Sequence, residues 1–386
     1  MTRIEDLSRS LVVLEQNSTV IAVVEMSASS WLVGGLVPGI ARRPMKKLTP
    51  DPEALLQLLQ RWREEAQRVG RAIGRMVLAY EIGRDGFWLA RWLRERGVEA
   101  YAIHPASVAV SQEHKRAKTD RLDVELLQRV FLGWLRGERD HCSMAAIPTL
   151  EEEDARRPGR ERELLVGEQT RLINRMKSAM ARLGIRGFKP QLRKAAERLA
   201  GLRTPEGVPL PPHTLDEIRR DQERLALVRA QIKAIEQARE QRLQQAPAQD
   251  WNAMILFLAR VVGLGIDTAD TLVQEVFRRA FRDQRAVASY VGITGSPRQS
   301  GSKRRENGLT RSGNARVRRA LIQLTWRFLL FQKGCALVQW YQARVAAKGV
   351  RKSTMIVALA RKLLVALWRM VTTGAVPAGL KLRPAA

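Results

Sequence analysis

Four acidic residues lie at positions where they could hold a divalent metal ion. Glu25 ends one buried apolar run, and Glu81 ends a second. Asp120 and Asp123 lie three positions apart at the start of a predicted helix, so both carboxylates lie on one helix face. Carboxylate oxygens suit Mg²⁺ or Mn²⁺, and two such ions can activate an attacking oxygen and stabilise a leaving oxygen in phosphoryl transfer. The sequence therefore predicts that these four acids are catalytic metal ligands.

Each of these acids also has a simpler explanation when it is taken alone. Asp120 and Asp123 could cap a helix and oppose its dipole, and Glu81 could be a surface acid at a strand end. The metal site is favoured only by the set of four, which occurs in strand, strand, helix order within a basic protein.

The charge of the chain indicates a polyanionic partner. Its 67 Lys and Arg residues against 39 Asp and Glu give a formal net charge of +28, spread over most of the sequence. Such a field attracts nucleic acid, because neutralised phosphates release their condensed counterions. A membrane is not the expected partner, since no apolar run reaches the roughly 18 residues that span a bilayer. An apolar fraction of 45% is typical of a globular protein.

Several other kinds of site and location are not expected. Two cysteines, Cys142 and Cys335, exclude a disulfide scaffold, and no CxxC or HxxxH spacing supports a zinc site. The four histidines include no pair at ligand spacing on a helix, so catalysis by histidine is not expected. The first ten residues show no apolar signal-peptide core, so we expect a cytoplasmic, nucleoid-associated protein.

The elements that would position the acids form an α/β domain over residues 1–150. Apolar, β-branched runs predict strands over residues 19–27, 31–37, 76–80 and 99–104. Amphipathic patterns predict helices over residues 52–69, 86–96 and 120–135. This order fits a mixed sheet flanked by helices.

The rest of the chain is predicted to be mostly helical. Residues 151–248 predict a helical hairpin suited to dimerisation, whose two helices flank a proline-rich turn. Leu225, Val228, Ile232 and Ile235 form an apolar stripe that we expect to be buried against a partner helix. Residues 249–386 predict an α-helical C-terminal domain. Within it, residues 261–266 resemble a helix-hairpin-helix turn that holds a phosphate, although an ordinary glycine cap is the alternative.

The polar stretch 294–314 predicts a flexible, basic loop. Residues 296–319 contain eight Lys and Arg and one acid, and Gly301, Gly308 and Gly313 would permit close approach to a strand. Composition alone favours a phosphate-binding loop with incidental serines. The residues predicted to bind nucleic acid are Lys118, Arg298, Lys303, Arg304, Arg305, Arg311, Arg316, Arg318 and Arg319.

Two parts of the chain resemble a known family. The segments IAVVEMS, AYEIGRDGFWLARWLRERG and YAIHPASV, the last followed by KRAKTDRLDVELL, resemble the RuvC-like domain of the IS110 insertion-sequence transposases. The segment YVGITGSPRQSGSKRRENGLTRSGNARVRRALIQ resembles that family's second domain. The resemblance covers nearly the whole chain, with a looser match in the middle. The family's first acid is usually Asp, and Glu25 stands at that position here.

The resemblance implies an RNase H-like (RuvC-like) fold and an enzyme that recombines DNA with a metal-binding acid cluster and a serine nucleophile. By position the serine maps to Ser300, with Ser302 as the second candidate. We expect Ser300 and the acids to act as one composite site, since a phosphoserine ester would let strands rejoin without a nucleotide cofactor. Donor and target DNA, a noncoding guide RNA and a homodimer or homotetramer are the implied partners.

Two alternatives remain open at this point. A Holliday-junction-type nuclease would need the four acids but not Ser300. A catalytically decayed, nucleic-acid-binding scaffold would need neither.

Overall fold

The computed structural model describes residues 14–108, 119–192, 194–245, 250–300, 303–310, 312–346 and 351–384. The chain divides into two compact units, with the division between Glu151 and Glu152. We call them the N-terminal and the C-terminal unit. Among the described residues, no helix is both long enough and apolar enough to cross a membrane.

The N-terminal unit is built on a mixed sheet. Its strands are β1 (Thr19–Met26), β2 (Trp31–Leu36), β3 (Met45–Leu48), β4 (Arg75–Glu81), β5 (Glu99–Ile103) and β6 (Met144–Ala145). They are ordered β3-β2-β1-β4-β5-β6. The central strands β1, β4 and β5 are parallel, and the remaining pairs are antiparallel. The mixed α/β sheet predicted from the apolar runs is confirmed, while the short strands β3 and β6 were not predicted.

Three helices cover the two faces of this sheet: α1 (Pro52–Arg68), α2 (Trp88–Arg94) and α3 (Asp120–Leu135). One face packs on α1 and α2, where Val24 of β1 belongs to the same apolar cluster as Leu59 and Leu89. The opposite face packs on α3, where Val23 of β1 belongs to the same apolar cluster as Leu127. Because successive strand residues point to opposite faces, each central strand is buried on both sides.

The C-terminal unit is mainly helical. Helix α4 (Leu150–Asp154) spans the division, and the others are α5 (Arg157–Arg182), α6 (Ala195–Leu199), α7 (Pro212–Gln244), α8 (Trp251–Ala259), α9 (Ile266–Leu272), α10 (Gln284–Val291), α11 (Ala315–Phe331), α12 (Ala336–Ala346) and α13 (Lys352–Thr373). A π-helical turn, Val273–Phe277, continues α9.

Helices α5 and α7 form an antiparallel pair. Arg162 near the start of α5 donates a hydrogen bond to Glu236 near the end of α7. Arg175 near the end of α5 pairs with Asp221 near the start of α7. Leu225, Val228 and Ile232 are buried in the same apolar cluster as Met176 of α5, and Ile235 packs against that cluster. The predicted burial of this stripe is confirmed, and the partner helix belongs to the same chain.

Two strands interrupt the helices of the C-terminal unit. Strands β7 (Gly295–Ser300) and β8 (Lys303–Leu309) pair antiparallel. The prediction of a flexible loop is therefore wrong for these residues. The strands were missed because their sequence is polar and glycine-containing and lacks the alternation of apolar residues that marks a half-buried strand.

Candidate active site

Glu25 and Glu81 lie beside each other at one edge of the N-terminal sheet. The parallel strands β1 and β4 align Val24 with Tyr80, so the next residues, Glu25 and Glu81, follow at the carboxyl ends of neighbouring strands. Because strand side chains alternate between the two sheet faces, Glu25 lies on the same face as Val23, and Glu81 on the same face as Ala79. This is the face that α3 covers.

The direction of α3 brings two more acids to this edge. Just beyond the end of the helix, Arg136 donates a hydrogen bond of 3.1 Å from Nη2 to Oε1 of Gln16, which precedes β1. Helix α3 therefore runs antiparallel to β1, and its first turn lies toward the carboxyl end of that strand. Asp120 and Asp123 thus share an edge and a sheet face with Glu25 and Glu81. We call this place the acid edge.

The first turn of α3 has the features expected of a stable helix start. Thr119 Oγ1 accepts a hydrogen bond of 3.3 Å from the Leu122 amide, which satisfies one of the unpaired amides of the first turn. Asp120 is exposed and Asp123 is half-buried. The positive end of the helix dipole favours carboxylates there.

The donor chemistry of the acid edge fits a hard divalent cation. Its four carboxylates offer only oxygen ligands, which Mg²⁺ and Mn²⁺ prefer. Within the described ranges, however, no three acidic, histidine or cysteine side chains stand close enough together to hold a metal ion. The acids share one edge without forming a ligand set, so the metal site remains a prediction.

The serine segment forms a hairpin whose register places basic residues around Ser300. Ser300 ends β7 and pairs with Lys303, Gln299 pairs with Arg304, and Arg298 pairs with Arg305. The predicted residues Lys118, Ser302 and Arg311 lie outside the described residues.

Two glycines fix the base of this hairpin. Gly292 and Gly313 have φ values of 71° and 109°. A Cβ on Gly313 would lie 2.4 Å from the Tyr290 carbonyl oxygen, and one on Gly292 would lie 2.0 Å from the Ser312 carbonyl oxygen. Side chains cannot be accommodated at such distances, so glycine at both positions permits a close crossing of the chain over itself.

Comparison with known proteins agrees with these features. Residues 256–339 match the family described as Transposase IS116/IS110/IS902. Over 370 residues, the chain is 38% identical to a Sinorhizobium fredii (strain NBRC 101917 / NGR234) protein named "Putative transposase y4rJ", and the match covers 92% of both chains. The chain belongs to this family of transposases. The family resemblance seen in the sequence is thereby confirmed.

In this transposase the matched segment includes the whole serine hairpin and the start of α11, which carries the predicted nucleic-acid-binding residues Arg316, Arg318 and Arg319. Arg316 Nη1 lies 3.0 Å from Oε2 of Glu163 in α5, and Arg319 pairs with the same carboxylate. Arg318 donates from Nη1 to the Val291 carbonyl oxygen at 3.1 Å. Burial lowers the pKa of Arg316. All three therefore hold α11 against other helices, and their contact with nucleic acid remains a prediction.

Part of the backbone of the glycine turn, residues 261–266, is hydrogen-bonded within the transposase fold. The Val262 amide donates to the Lys381 carbonyl oxygen at 3.1 Å, and the Leu264 amide donates to Val261 at 2.9 Å. The Val262 carbonyl oxygen accepts from Gln332 at 2.8 Å. These two amides are therefore engaged within the fold, and the phosphate-holding turn stays a prediction beside its glycine-cap alternative.

Glu275 is a residue whose importance the sequence did not indicate. It lies in the π-helical turn and is 4% exposed. Arg160 donates to its two carboxylate oxygens at 2.9 and 3.1 Å, and Asn314 donates to Oε2 at 3.1 Å. Burial alone would raise the pKa of Glu275, but the hydrogen bonds and charge of Arg160, together with Arg156 and Asn314, hold it below its usual value.

Asn314 connects this buried acid to the serine hairpin. Its side-chain oxygen caps α11 by accepting from the Val317 amide at 3.2 Å, and its backbone amide donates to Tyr290 at 2.9 Å. Glu275 therefore ties α5 to the residues that fix the hairpin base. No local pattern could have revealed it, because Arg160 and Glu275 are separated by 115 residues.

Proposed function

We propose that this transposase cuts and rejoins DNA strands, using Mg²⁺ or Mn²⁺ at the acid edge and Ser300 as nucleophile, under the guidance of a noncoding RNA. The observation that carries the proposal is that Glu25 and Glu81 end neighbouring strands and that the helix covering the same sheet face begins with Asp120 and Asp123 at that end of the sheet. The mixed sheet order also supports an RNase H-like, RuvC-like domain.

The residues of the acid edge are attached to well-packed parts of the backbone. Glu25 and Glu81 extend from strands whose preceding residues are fully buried, and Val124 of α3 is buried beneath the helix start. Packing of this kind fixes the backbone positions of ligands before a substrate arrives. The ion, when bound, would withdraw charge from the scissile phosphate and favour deprotonation of the attacking hydroxyl.

Ser300 would supply the covalent step. Its Oγ attacks the phosphorus, the new Oγ–P bond replaces the bond to a deoxyribose oxygen, the serine proton passes to a base or water, and the leaving oxygen takes up a proton. Attack by another DNA hydroxyl reverses these changes and restores the serine. Arg298, Arg304 and Arg305 neighbour Ser300 by strand register and would stabilise the charge of the pentacovalent state.

A suicide DNA substrate tests the serine. We expect a covalent protein–DNA adduct that survives denaturation in the wild-type protein and is lost in Ser300→Ala. An adduct lost only in Ser302→Ala would assign the role to that residue. A protein that cuts DNA without any adduct would support the nuclease alternative.

Metal binding tests the proposal against the scaffold alternative. We expect Mn²⁺ to raise the melting temperature of the wild-type protein, because a ligand that binds only the folded state stabilises it. The Asp120→Asn, Asp123→Asn double variant should lose that increase. A wild-type protein that shows no response to Mn²⁺ or Mg²⁺ would favour a decayed scaffold.

The proposed partners can be examined directly. The net charge of +28 supports polyanionic partners, and the family supports DNA as one of them. Sequencing the RNA that purifies with the protein tests the guide. Light scattering tests the homodimer or homotetramer, and microscopy tests association with the nucleoid.

A further inference from the structure

A cavity of about 550 Å³ lies between α3 and the β2–β3 corner of the N-terminal unit. Its volume is within the range of pockets that bind ligands. Arg121, Arg129 and Arg136 line it from α3, and Arg43 lines it from the connection between β2 and β3. We call it the α3 cavity.

The α3 cavity has an excess of positive charge after its internal pairs are counted. Of its two carboxylates, Glu125 pairs with Arg121 at 3.1 Å and Glu138 pairs with His141 at 2.6 Å. Arg43 and Arg129 are exposed, and neither has an ion pair or hydrogen bond within the described part of the chain.

Arg136 adds to this excess. Its guanidinium donates to the neutral amide of Gln16, so its charge is not compensated by that contact. The cavity therefore offers guanidinium donors suited to an anionic ligand.

A buried amide in the same cavity also lacks a partner. Gln128 lines the cavity and is 4% exposed, yet its Nε2 makes no hydrogen bond with any described residue. An unpaired buried donor is costly, and native structures contain few of them. If the Gln128 amide turned toward the cavity, Nε2 would lose no hydrogen bond. It could then donate one to an acceptor atom of a bound ligand.

We propose that the α3 cavity seats a nucleic-acid strand, whose phosphodiesters contact Arg43 and Arg129 and which runs along α3 toward Asp120. At about 1.5 Å per residue, Arg129 and Arg136, whose charges are not compensated, lie roughly 10 Å apart along the helix axis. A stacked strand rises about 3.4 Å per nucleotide, so this interval spans roughly three nucleotides. Cations with this spacing fit a polymeric anion better than a single small one.

This inference rests on the proposed function only in that the protein must handle nucleic acid. It requires neither the metal site nor Ser300. Binding and cleavage are measured separately below, so loss of one proposal leaves the other open to test.

The salt dependence of binding tests the inference. We would compare the full-length Arg43→Gln, Arg129→Gln variant with an Arg61→Gln, Arg63→Gln control, which removes the same charge from exposed arginines of α1 that have no ion pair among the described residues. Fluorescence polarisation with duplex DNA, single-stranded DNA and single-stranded RNA of equal length gives log K against log salt for each probe.

Each lost phosphate contact should reduce the slope by about 0.9 for duplex DNA and about 0.7 for a single strand. We therefore expect the slope of the cavity variant to fall by about 1.8 or about 1.4 with the probe that occupies the cavity, and to be unchanged in the control. The probe that shows the change identifies the strand as DNA or RNA. An unchanged slope with all three probes, or an equal fall in the control, would overturn the proposal.

A second variant tests the buried amide. Gln128→Met keeps the side-chain length and removes the unpaired donor. We expect the affinity for the responding probe to fall about three- to tenfold, as for the loss of one hydrogen bond, while the melting temperature is maintained or rises. Unchanged affinity at an unchanged or higher melting temperature would contradict the amide's contact with the strand.

Discussion

Asp120 and Asp123 of the acid edge and two buried acids of the C-terminal unit lie in opposite surroundings. Asp120 is exposed and Asp123 half-buried, and neither has an ion pair among the described residues. Glu275 and Asp270 are 4% and 5% exposed, and arginines surround both. An acid fixed against buried cations holds helices together, whereas an accessible acid at a helix start remains able to take up a cation from solution.

The pKa values of the two buried acids shift in opposite directions. Arg160 hydrogen-bonds Glu275, and the pKa of Glu275 is lowered. Asp270 lies 3.9 Å from both Arg239 and Arg242, and its Oδ1 has no hydrogen-bond partner among the described residues. Burial therefore outweighs these arginines and raises the pKa of Asp270. At Glu275 the hydrogen bonds from Arg160 add to the charges of Arg160 and Arg156, and together they outweigh burial.

The largest effect is expected from Glu275→Gln. Removing this charge takes the buried partner from Arg160, and because the Arg160 side chain is 46% exposed the cost should stay below the about 3–5 kcal/mol typical of a fully buried pair. Urea unfolding measures the loss, and a Glu163→Gln control should cost much less, because Glu163 is 38% exposed. If both variants lost the same free energy of unfolding, the claim that buried acids stabilise this unit more than accessible acids would be wrong.

The pH dependence of stability should change with the same residue. A lowered folded-state pKa means that the stability from Glu275 is present above the unfolded value, about 4.3, and is lost as the pH falls through the folded pKa. Unfolding measured at several pH values should show this acid-induced loss in the wild-type protein and a weaker one in Glu275→Gln. If the free energy of unfolding changed with pH in the same way in both proteins, Glu275 would not be the source of the acid-induced loss.

A smaller loss is expected from Gly313→Ala at the base of the serine hairpin. Its Cβ would clash with a backbone oxygen and its φ is 109°, so we expect a cost of about 2–3 kcal/mol. Gly308→Ala is the matched control, because its φ is 85° but nothing lies within 4 Å of the added Cβ. That variant should lose only about 1 kcal/mol from backbone strain. Thermal unfolding of both variants would separate the cost of the steric clash at Gly313 from the cost of placing alanine at a positive φ.

The smallest effect should have the opposite sign. Because the pKa of Asp270 is raised, its charged form destabilises the folded protein above the folded pKa, and this cost disappears as the pH falls below the unfolded value of about 3.9. Asp270→Asn should therefore raise the melting temperature at pH 7 and give less benefit in acid. A lower melting temperature at pH 7 would show that Arg239 and Arg242 stabilise the charge after all.

The sequence revealed some of these features better than others. Helix α3 was predicted over residues 120–135 from its apolar face, and the helix has these bounds. The strands ending near Glu25 and Glu81 were predicted from apolar runs that are buried on both faces. Local pattern is sufficient for such elements.

The features that were missed depend on distant partners. The serine hairpin is fixed at its base by backbone contacts around Gly292 and Gly313, and Glu275 depends on Arg160 in a helix far away in sequence. Arg316 likewise pairs with Glu163, although its sequence suggested nucleic-acid binding. Such contacts arise only when the helices pack, so neither composition nor periodicity indicates them.

Strand cleavage by Asp120→Asn is the most direct test of the account. Asp51→Asn is the control, because Asp51 also lies at a helix start in the N-terminal unit and asparagine caps a helix equally well. With a DNA substrate and Mg²⁺, we expect Asp120→Asn to bind DNA nearly as the wild-type protein does and to lose cleavage, while Asp51→Asn cuts normally. Cleavage by Asp120→Asn at the wild-type rate would contradict a catalytic role for the acid edge.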